Sequence, residues 1–412
     1  MIRIGIVGCG RILAAHLRGY RLLREAGYDG FRITALCAKR KSDAAMYLRR
    51  GQGPPQRPAV SRLAGDPLAI GDEYLSDFQT DVEPQIYTNY RDMIANGPID
   101  VVNDFTSHGE HHQVAATAFA VGKHLLTQKP LASSVAAARR MCDEAEARDL
   151  IFGVFENFRT LPQTRHLGWL FHGGRIGRPQ MMLAGFVGAW WSPDRIVADT
   201  PWRHWKKEGG GITLDLGVHF LNQMRYVAGA PRTVLGHAAL LEPTRIRADE
   251  RGAVLETIAC DADDYCQANV TFDSGAEASL LATWCGHGGE TLLGSGLTYY
   301  GTKGRVAGNL VSIDGDSMGE RDLAAYYDIH ADAERKRVDF PFGMDDSFAL
   351  AQLDWLEAVR MHRAPEMSGR EGLIDLAATF AILESSFIGR RVDVDEVLTG
   401  ELREYQRHMS DY

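Results

Sequence analysis

The chain opens on an apolar run, Ile2-Arg3-Ile4-Gly5-Ile6-Val7, that stops at Gly8-Cys9-Gly10-Arg11-Ile12 and passes into helix-like spacing through Leu17 and Leu22. That order predicts a strand, a glycine-rich turn and a helix. A second apolar run, Phe31 to Cys37, follows at strand-helix-strand distance. Ser42 to Arg50 predicts a helix. Residues 51–72 are then rich in Gly, Pro and polar side chains, so an irregular insertion is expected from about residue 51 to 85. A loop of that length inside a compact domain implies a lid, an oligomer contact or a mobile excursion. The alternation then resumes with helix Tyr90–Ala95, strand Ile99–Asn103, helix His111–Val121, strand His124–Leu126, helix Ser133–Arg148 and strand Leu150–Val154. Strands alternating with helices imply a parallel, doubly wound sheet.

Beyond residue 155 the period changes. Met181–Phe186, Val234–Leu241, Asp264–Phe272, Ala276–Thr283 and Thr291–Tyr300 read as successive strands, with turn signals such as Asp273-Ser274-Gly275 between them. Helical spacing returns in Ile212–Val227, Ser347–Met361 and Arg370–Ile388, and Glu401–His408 reads as a short charged terminal helix. The fold class is therefore α/β, with a parallel doubly wound N-terminal domain (1–155) and a C-terminal α+β domain (156–412) carrying an open, mostly antiparallel sheet. Pro341-Phe342-Gly343 reads as the entry to the long C-terminal helices rather than a domain boundary. An open sheet needs covering, which points to a homodimer or homotetramer.

The length of 412 residues suits two domains, and 45% hydrophobic with 24% charged residues is a globular composition. A net charge of −9 without a basic block argues against a nucleic-acid partner. Six cysteines without a CxxC pair, no signal-peptide pattern and no apolar stretch long enough for a membrane helix point to a cytoplasmic protein with reduced thiols.

Three constellations carry chemistry. Gly8 permits the tight turn after the first strand, and Gly10 lets a pyrophosphate approach backbone N–H groups at a helix N-terminus. Leu13 stands at the third fingerprint position, where Gly or Ala is usual. After the second strand comes Cys37-Ala38-Lys39-Arg40-Lys41. The acidic residue that would bind ribose hydroxyls is missing, and Lys39 and Arg40 suit a 2′-phosphate, so NADP is favoured over NAD. Second, Lys129-Pro130 ends a parallel strand on the ligand-binding edge of the sheet, where the lysine can hydrogen-bond a substrate hydroxyl. Third, Asp215 and His219 are four apart and share a helix face. An imidazole ordinarily titrates near neutrality and can take a hydroxyl proton as hydride leaves the same carbon, with the aspartate orienting it. His108, His111 and His112 lack nearby carboxylate or thiolate partners at metal-ligand spacing, so no metal is expected. The acidic run Cys260-Asp261-Ala262-Asp263-Asp264 lacks the glycine and closing glutamate of a calcium loop and reads as a solvated turn.

Together these motifs resemble the Gfo/Idh/MocA oxidoreductases over nearly the whole chain. Gly8-Cys9-Gly10-Arg11-Ile12 with His16 is similar to the family's nucleotide turn, and Phe105-Thr106-Ser107-His108 with His111 to its Thr-Pro-Asn-His-x-His segment. Gln128-Lys129-Pro130 resembles its Glu-Lys-Pro motif with the acid replaced by an amide. Glu156-Asn157-Phe158-Arg159 resembles the segment entering the second domain. Trp202-Arg203, the glycine triplet and Asp215-x-x-x-His219 resemble its catalytic helix, and Gly369 to Ser386 its closing helix. The resemblance implies a Rossmann N-terminal domain and an NAD(P)-dependent dehydrogenase or reductase acting on a sugar, polyol or cyclic alcohol. It implies roles for Lys129, Asp215 and His219 in catalysis. Gly8, Gly10, Arg11, Ile12, Ala38, Lys39, Arg40, Thr106, His111, Gln128 and Lys129 would lie along the cofactor. Asn157, Trp202 and Arg203, with Asp215 and His219, would lie at the substrate. Two other readings are a cofactor-retaining glycosidase that transiently oxidises a sugar hydroxyl, and a non-catalytic nucleotide or sugar sensor. Keeping Lys129, Asp215 and His219 together argues against the sensor.

Overall fold

The computed structural model describes residues 1–61, 65–188, 194–286 and 296–409. The chain forms two compact units. The first comprises Met1–Ser133, Ala137–Thr160 and Phe340–Gly372; the second comprises Ser134–Ala136, Leu161–Asp339 and the chain from Leu373 onward.

In the first unit, strand β1 (Ile2–Val7) is followed by α1 (Leu13–Glu25), β2 (Phe31–Cys37), α2 (Lys41–Ala45), β3 (Gln85–Tyr87), α3 (Tyr90–Asn96), β4 (Val101–Asp104), α4 (His111–Ala120), β5 (His124–Gln128), α5 (Val135–Ala147) and β6 (Phe152–Phe155). The strands pair in parallel in the order β3-β2-β1-β4-β5-β6. The order reverses at β1, which lies between β2 and β4, and open sheets of this kind bind ligands at such a switch point.

The expected helix Ser42–Arg50 is shorter, Lys41–Ala45, and β3 was hidden at the end of the expected insertion. Before β3 begins, the Gln79 side-chain amide takes over strand pairing on the β2 edge, accepting from Ile33 N at 2.9 Å and donating to Ile33 O at 2.8 Å. A three-residue strand assisted by a side chain leaves no alternating pattern to read.

The chain continues with α6 (Pro162–His172), β7 (Pro179–Val187), α7 (Val218–Ala228), β8 (Pro231–Ala239), β9 (Thr244–Ala248), β10 (Val254–Ala259), β11 (Tyr265–Phe272), β12 (Glu277–Thr283), β13 (Gly296–Gly301), β14 (Gly304–Ala307), β15 (Leu310–Ile313), β16 (Arg321–Asp322), α8 (Leu323–His330) and α9 (Ala333–Asp339). Next come α10 (Ser347–Met361), α11 (Gly369–Ile388), β17 (Val392–Asp393) and α12 (Val394–Thr399). Among the described residues, nine strands form one sheet in the order β16-β15-β14-β13-β7-β12-β11-β8-β17, antiparallel except for the β7–β12 pair. Strands β9 and β10 make a separate hairpin. Of the expected strand Thr291–Tyr300, residues 291–295 lie outside the described residues. The expected helix Glu401–His408 is a single 3-10 turn, Tyr405–His408.

The units divide the chain differently from the expected 1–155 and 156–412, because α10 packs in the first. Its Phe348, Leu350, Leu353, Trp355 and Leu356 are buried in one core with Ile4, Ile6, Leu17, Leu23 and Phe155. Each such side chain contributes roughly 1.5–3 kcal/mol on burial, so these five outweigh the sequence distance between α10 and the sheet. Gly19 in α1 permits the approach: a Cβ there would stand 2.5 Å from Gln352 Oε1 and 3.0 Å from Ala349 N. Pro341-Phe342-Gly343 therefore does mark a unit boundary, since the first unit resumes at Phe340.

Candidate functional site

The turn after β1 is built around its two glycines for different reasons. Gly8 has φ +97°, and a Cβ there would stand 2.6 Å from the Phe105 carbonyl carbon and oxygen and 2.9 Å from Thr106 N. The loop after β4 thus crosses directly over the turn, and only glycine fits beneath it. A Cβ on Gly10 would meet nothing within 4 Å. Helix α1 starts with no side-chain cap from Ile12 and no acidic residue in its first turn. Open space at Gly10 beside an uncapped positive helix end suits the pyrophosphate of a dinucleotide. Leu13 is fully buried in the core with Ala14 and Ala15, so its fingerprint position serves packing.

The insertion closes on this turn. The Tyr47 hydroxyl donates to Gly10 O (2.8 Å), Arg57 Nη1 to Cys9 O (3.1 Å) and Arg11 Nη1 to Pro58 O (2.8 Å). Beyond β2, Ala38 is buried and its N–H donates to Tyr87 O at 3.1 Å, while Lys39 and Arg40 are exposed. The Arg40 guanidinium donates to Asp43 at 3.1 and 3.2 Å.

At the ends of β4 and β5, Asp104 is fully buried and accepts from Thr106 N (3.0 Å), Thr106 Oγ1 (2.7 Å) and Thr127 Oγ1 (3.0 Å). Burial pushes its carboxyl above the usual range, while His111 and these hydrogen bonds act the other way. His111 faces two carbonyls, Pro130 O at 3.0 Å from Nδ1 and Thr106 O at 3.3 Å from Nε2. Its ring therefore ties together the two loops that carry Thr106 and Lys129. The Lys129–Pro130 peptide is cis, and Lys129 is half-buried. Gln128 lies 2.8 Å from the buried His16 ring through Nε2 and accepts from Lys129 N at 3.2 Å. Asn157 is buried in a 3-10 turn, Asn157–Thr160, whose Thr160 hydroxyl donates to Ser347 O at 2.8 Å.

Asp215 and His219 belong to the second unit and are both buried. The expected continuous helix is a π turn, Thr213–Gly217, that runs into α7. Such widened turns recur at functional sites. Arg203 Nε donates to Asp215 Oδ2 at 3.0 Å, its Nη1 donates to Thr200 Oγ1, and its guanidinium lies 4.4 Å over the Trp202 ring. Trp202 and Arg203 thus form one group with Asp215. Helix α7 is pinned by Gln223, which donates to Thr164 Oγ1 of α6 (2.7 Å), and by Asn222 and Arg225, which donate to Asp375 of α11 (2.6 and 2.7 Å).

Asp263 and Asp264 are buried rather than part of a solvated turn. Asp263 Oδ2 accepts from Thr213 N (2.9 Å) and Thr213 Oγ1 (2.6 Å), and Asp263 O accepts from Ile212 N (2.9 Å). Gly211, at φ +114°, is required because a Cβ would stand 2.3 Å from Asp263 Oδ1. Asp264 pairs with the buried Arg245 at 3.2 Å. Asp263 therefore caps the turn that carries Asp215. The glycine triplet was the sequence signal for a crowded backbone, but nothing in its spacing identified the acid that crowds it. His204 accepts from Val197 N through Nε2 at 3.1 Å, and burial, aided by Arg245 and Arg203, pushes it down to about 3. Among the described residues no group of His, Cys, Asp and Glu could hold a metal ion, and no helix is long and apolar enough to cross a membrane.

Residues 68–156 match the family described as oxidoreductases with an NAD-binding Rossmann fold, and residues 165–307 match the GFO/IDH/MocA C-terminal domain. A 1,5-anhydro-D-fructose reductase of Ensifer adhaerens is 24% identical over 312 residues, 75% of this chain and 84% of its own. A myo-inositol 2-dehydrogenase of Thermotoga maritima is 24% identical over 406 residues, 96% of this chain and 100% of its own. The solved structure of levoglucosan dehydrogenase with NADH and L-sorbose shares the fold with a TM-score of 0.75 at 19% identity, covering 96% of this chain and 99% of that one. The class is an NAD(P)-dependent oxidoreductase with a Rossmann unit. Within that class, the chain belongs to the Gfo/Idh/MocA family.

The two glycines are separable by experiment. Gly10→Ala is expected to leave the melting temperature unchanged and weaken dinucleotide binding at least tenfold by calorimetric titration. Gly8→Ala is expected to lower the melting temperature itself. Unchanged binding in Gly10→Ala would remove the pyrophosphate from this turn.

Proposed function

We propose that the protein interconverts an alcohol and a carbonyl on a sugar, polyol or related cyclic alcohol, using NADP in preference to NAD. The observation that carries the chemistry is two buried side chains on consecutive elements: Asp215, a carboxylate held by Arg203, on the π turn, and the His219 imidazole at the start of α7. When bound, the nicotinamide exchanges hydride with the alcohol carbon. His219 takes the hydroxyl proton as the carbonyl forms and returns it in reduction. Asp215 orients the substrate and the imidazole, and the Lys129 ammonium donates a hydrogen bond to the reacting oxygen, where negative charge develops. Asn157 lies toward the nicotinamide end, with Trp202 and Arg203 at the mouth of the substrate site. The sugar or polyol class is supported by the names of the relatives, a 1,5-anhydro-D-fructose reductase and a myo-inositol 2-dehydrogenase.

For the cofactor, the absence of an acid from Cys37 to Lys41 and the exposed Lys39 and Arg40 support a 2′-phosphate. For assembly, the nine-stranded sheet leaves Met181, Leu183 and Leu235 41–42% exposed, which supports a homodimer or homotetramer covering that sheet.

A panel of sugars, inositols and glycosides with each nicotinamide cofactor, followed at 340 nm, is expected to give turnover with at least one free polyol or sugar. Hydrolysis of a glycoside without net reduced cofactor would overturn this reading. His219→Ala is expected to lower kcat about 10²–10⁴-fold with cofactor affinity unchanged; near-normal turnover moves the proton to another group. Neutral replacements of both Lys39 and Arg40 are expected to weaken NADP at least tenfold more than NAD. Equal losses would overturn the NADP preference. Light scattering is expected to give a dimer or tetramer mass that falls in Leu183→Arg, and a monomeric wild type would refute the sheet contact.

A further inference from the structure

The insertion brings a further cation, Arg57, to the side of the turn where Lys39 and Arg40 follow β2. Asp43, in the first turn of α2, is the one acidic residue between Cys37 and Ala45. It stands three residues beyond Arg40. A bare carboxylate there would repel a phosphate on the ribose, by the same electrostatics that make an acid at this end of the strand suited to free ribose hydroxyls. The carboxylate is not bare. Arg40 reaches Asp43 Oδ2 and Oδ1 at 3.1 and 3.2 Å, and Arg57 donates Nη2 to Oδ1 at 2.6 Å.

These two arginines are held differently. The Arg40 side chain is 74% exposed, and its pair with Asp43 is of the surface kind that contributes about 0–1 kcal/mol. It can leave Asp43 for a doubly charged phosphate at little cost. The Arg57 side chain is 27% exposed, and its Nη1 is also committed to Cys9 O at 3.1 Å, inside the Gly8–Gly10 turn. The neighbouring bond from Arg11 to Pro58 O holds the same stretch of the insertion against the turn, and Tyr47, just before the insertion, donates to Gly10 O. Arg57 therefore stays on Asp43 when Arg40 departs.

We propose that Arg57 is a specificity-determining residue for the cofactor: by neutralising Asp43 it frees Arg40 for a phosphate on the adenosine ribose and removes the repulsion that phosphate would otherwise meet. This rests on the reading of Lys39 and Arg40 as the ribose-phosphate site. It gives the insertion a role in cofactor choice, through charge placed next to the ribose rather than through closure over the substrate.

The test is calorimetric titration of the full chain with NADP and with NAD, read as the ratio of the two dissociation constants (NAD over NADP). A purely structural effect of Arg57 on the turn weakens both cofactors and leaves the ratio unchanged. Arg57→Ala is expected to lower the ratio at least tenfold, chiefly by weakening NADP. Arg57→Lys should stay within about threefold of wild type, and Asp43→Asn combined with Arg57→Ala should restore the ratio to the same range. A ratio unchanged in Arg57→Ala, or a double variant as low as the single one, overturns the proposal. If Arg57→Ala does not fold, Asp43→Asn alone decides. A ratio raised threefold or more supports the proposal, and an unchanged or lowered ratio overturns it. Failure of the underlying reading has a separate signature, a ratio insensitive to replacement of Lys39 and Arg40.

Discussion

The close crossing of the loop after β4 over the turn after β1 is the constraint on which the first unit depends. With the Phe105 carbonyl 2.6 Å from where a Cβ on residue 8 would stand, the backbone itself fills the space beneath that loop. β1 lies between β2 and β4, so both neighbouring strands deliver their ends to the same edge. Lys39 and Arg40 follow β2, Thr106 follows β4, and Gln128 and Lys129 close β5. Loosening the crossing would shift Thr106 and, through the His111 ring that stands between Thr106 O and Pro130 O, the Lys129 turn as well. The turn after β1 and the Lys129 turn are therefore tied together along this edge.

The second unit relies on buried carboxylates instead. Moving an ionised carboxylate out of water costs several kcal/mol unless hydrogen bonds and a counter-charge offset it. Asp375 meets that requirement with Arg225 and Asn222, and Asp264 with Arg245 and the N–H groups of Leu241 and Glu242. Asp263 has no arginine. It accepts from Thr213 twice on one oxygen, and burial drives its carboxyl above the usual range. Each acid ties a backbone segment or a helix to a neighbour, and the segments so tied include the π turn and α7. Truncating one of these acids leaves its partner unsatisfied, which is more costly than the net gain from the intact bond. The supports of the backbone that carries Asp215 and His219 are polar, directional and buried.

The parallel order of the first sheet was legible because buried parallel strands such as Ile2–Val7 and Phe31–Cys37 read as unbroken apolar runs between helical spacings. The ends of α10 were legible to the residue, since Asp346 caps it and accepts from Phe348 N and Ala349 N. Its membership of the first unit was not. An amphipathic helix announces an apolar face but not the core that receives it, and α10 lies more than 300 residues after α1. β3 escaped because Gln79 substitutes for strand backbone, and the hairpin β9–β10 because its strands lack clean alternation. The Asp215–His219 spacing was visible as a helix face. What holds it, Arg203 twelve residues before and Asp263 fifty residues beyond Thr213, is non-local and carries no periodic trace. The acidic run looked solvated because charge in sequence normally means water, and here Thr213 and Arg245 replace it.

The amide at residue 128 is matched to what lies beside it. His16 is fully buried, its ring stacked 3.5 Å from Phe105 and edge-on to Phe155 and Phe348 at 4.4 and 5.0 Å, and burial pushes it well below its ordinary value. A neutral imidazole offers one donor and one acceptor, and its two nitrogens face two glutamines, Gln128 at 2.8 Å and Gln352 at 3.2 Å. Gln128 turns its amide Nε2 to the ring and accepts the Lys129 N–H on its Oε1, so one amide serves both neighbours. A carboxylate only accepts. Placed at residue 128, it would require a proton on the facing nitrogen and would favour charging an imidazole enclosed by three aromatic rings. The glutamine is a neutral partner for an imidazole in aromatic surroundings behind the turn after β1, and residues 16, 105, 128 and 352 form one contiguous group.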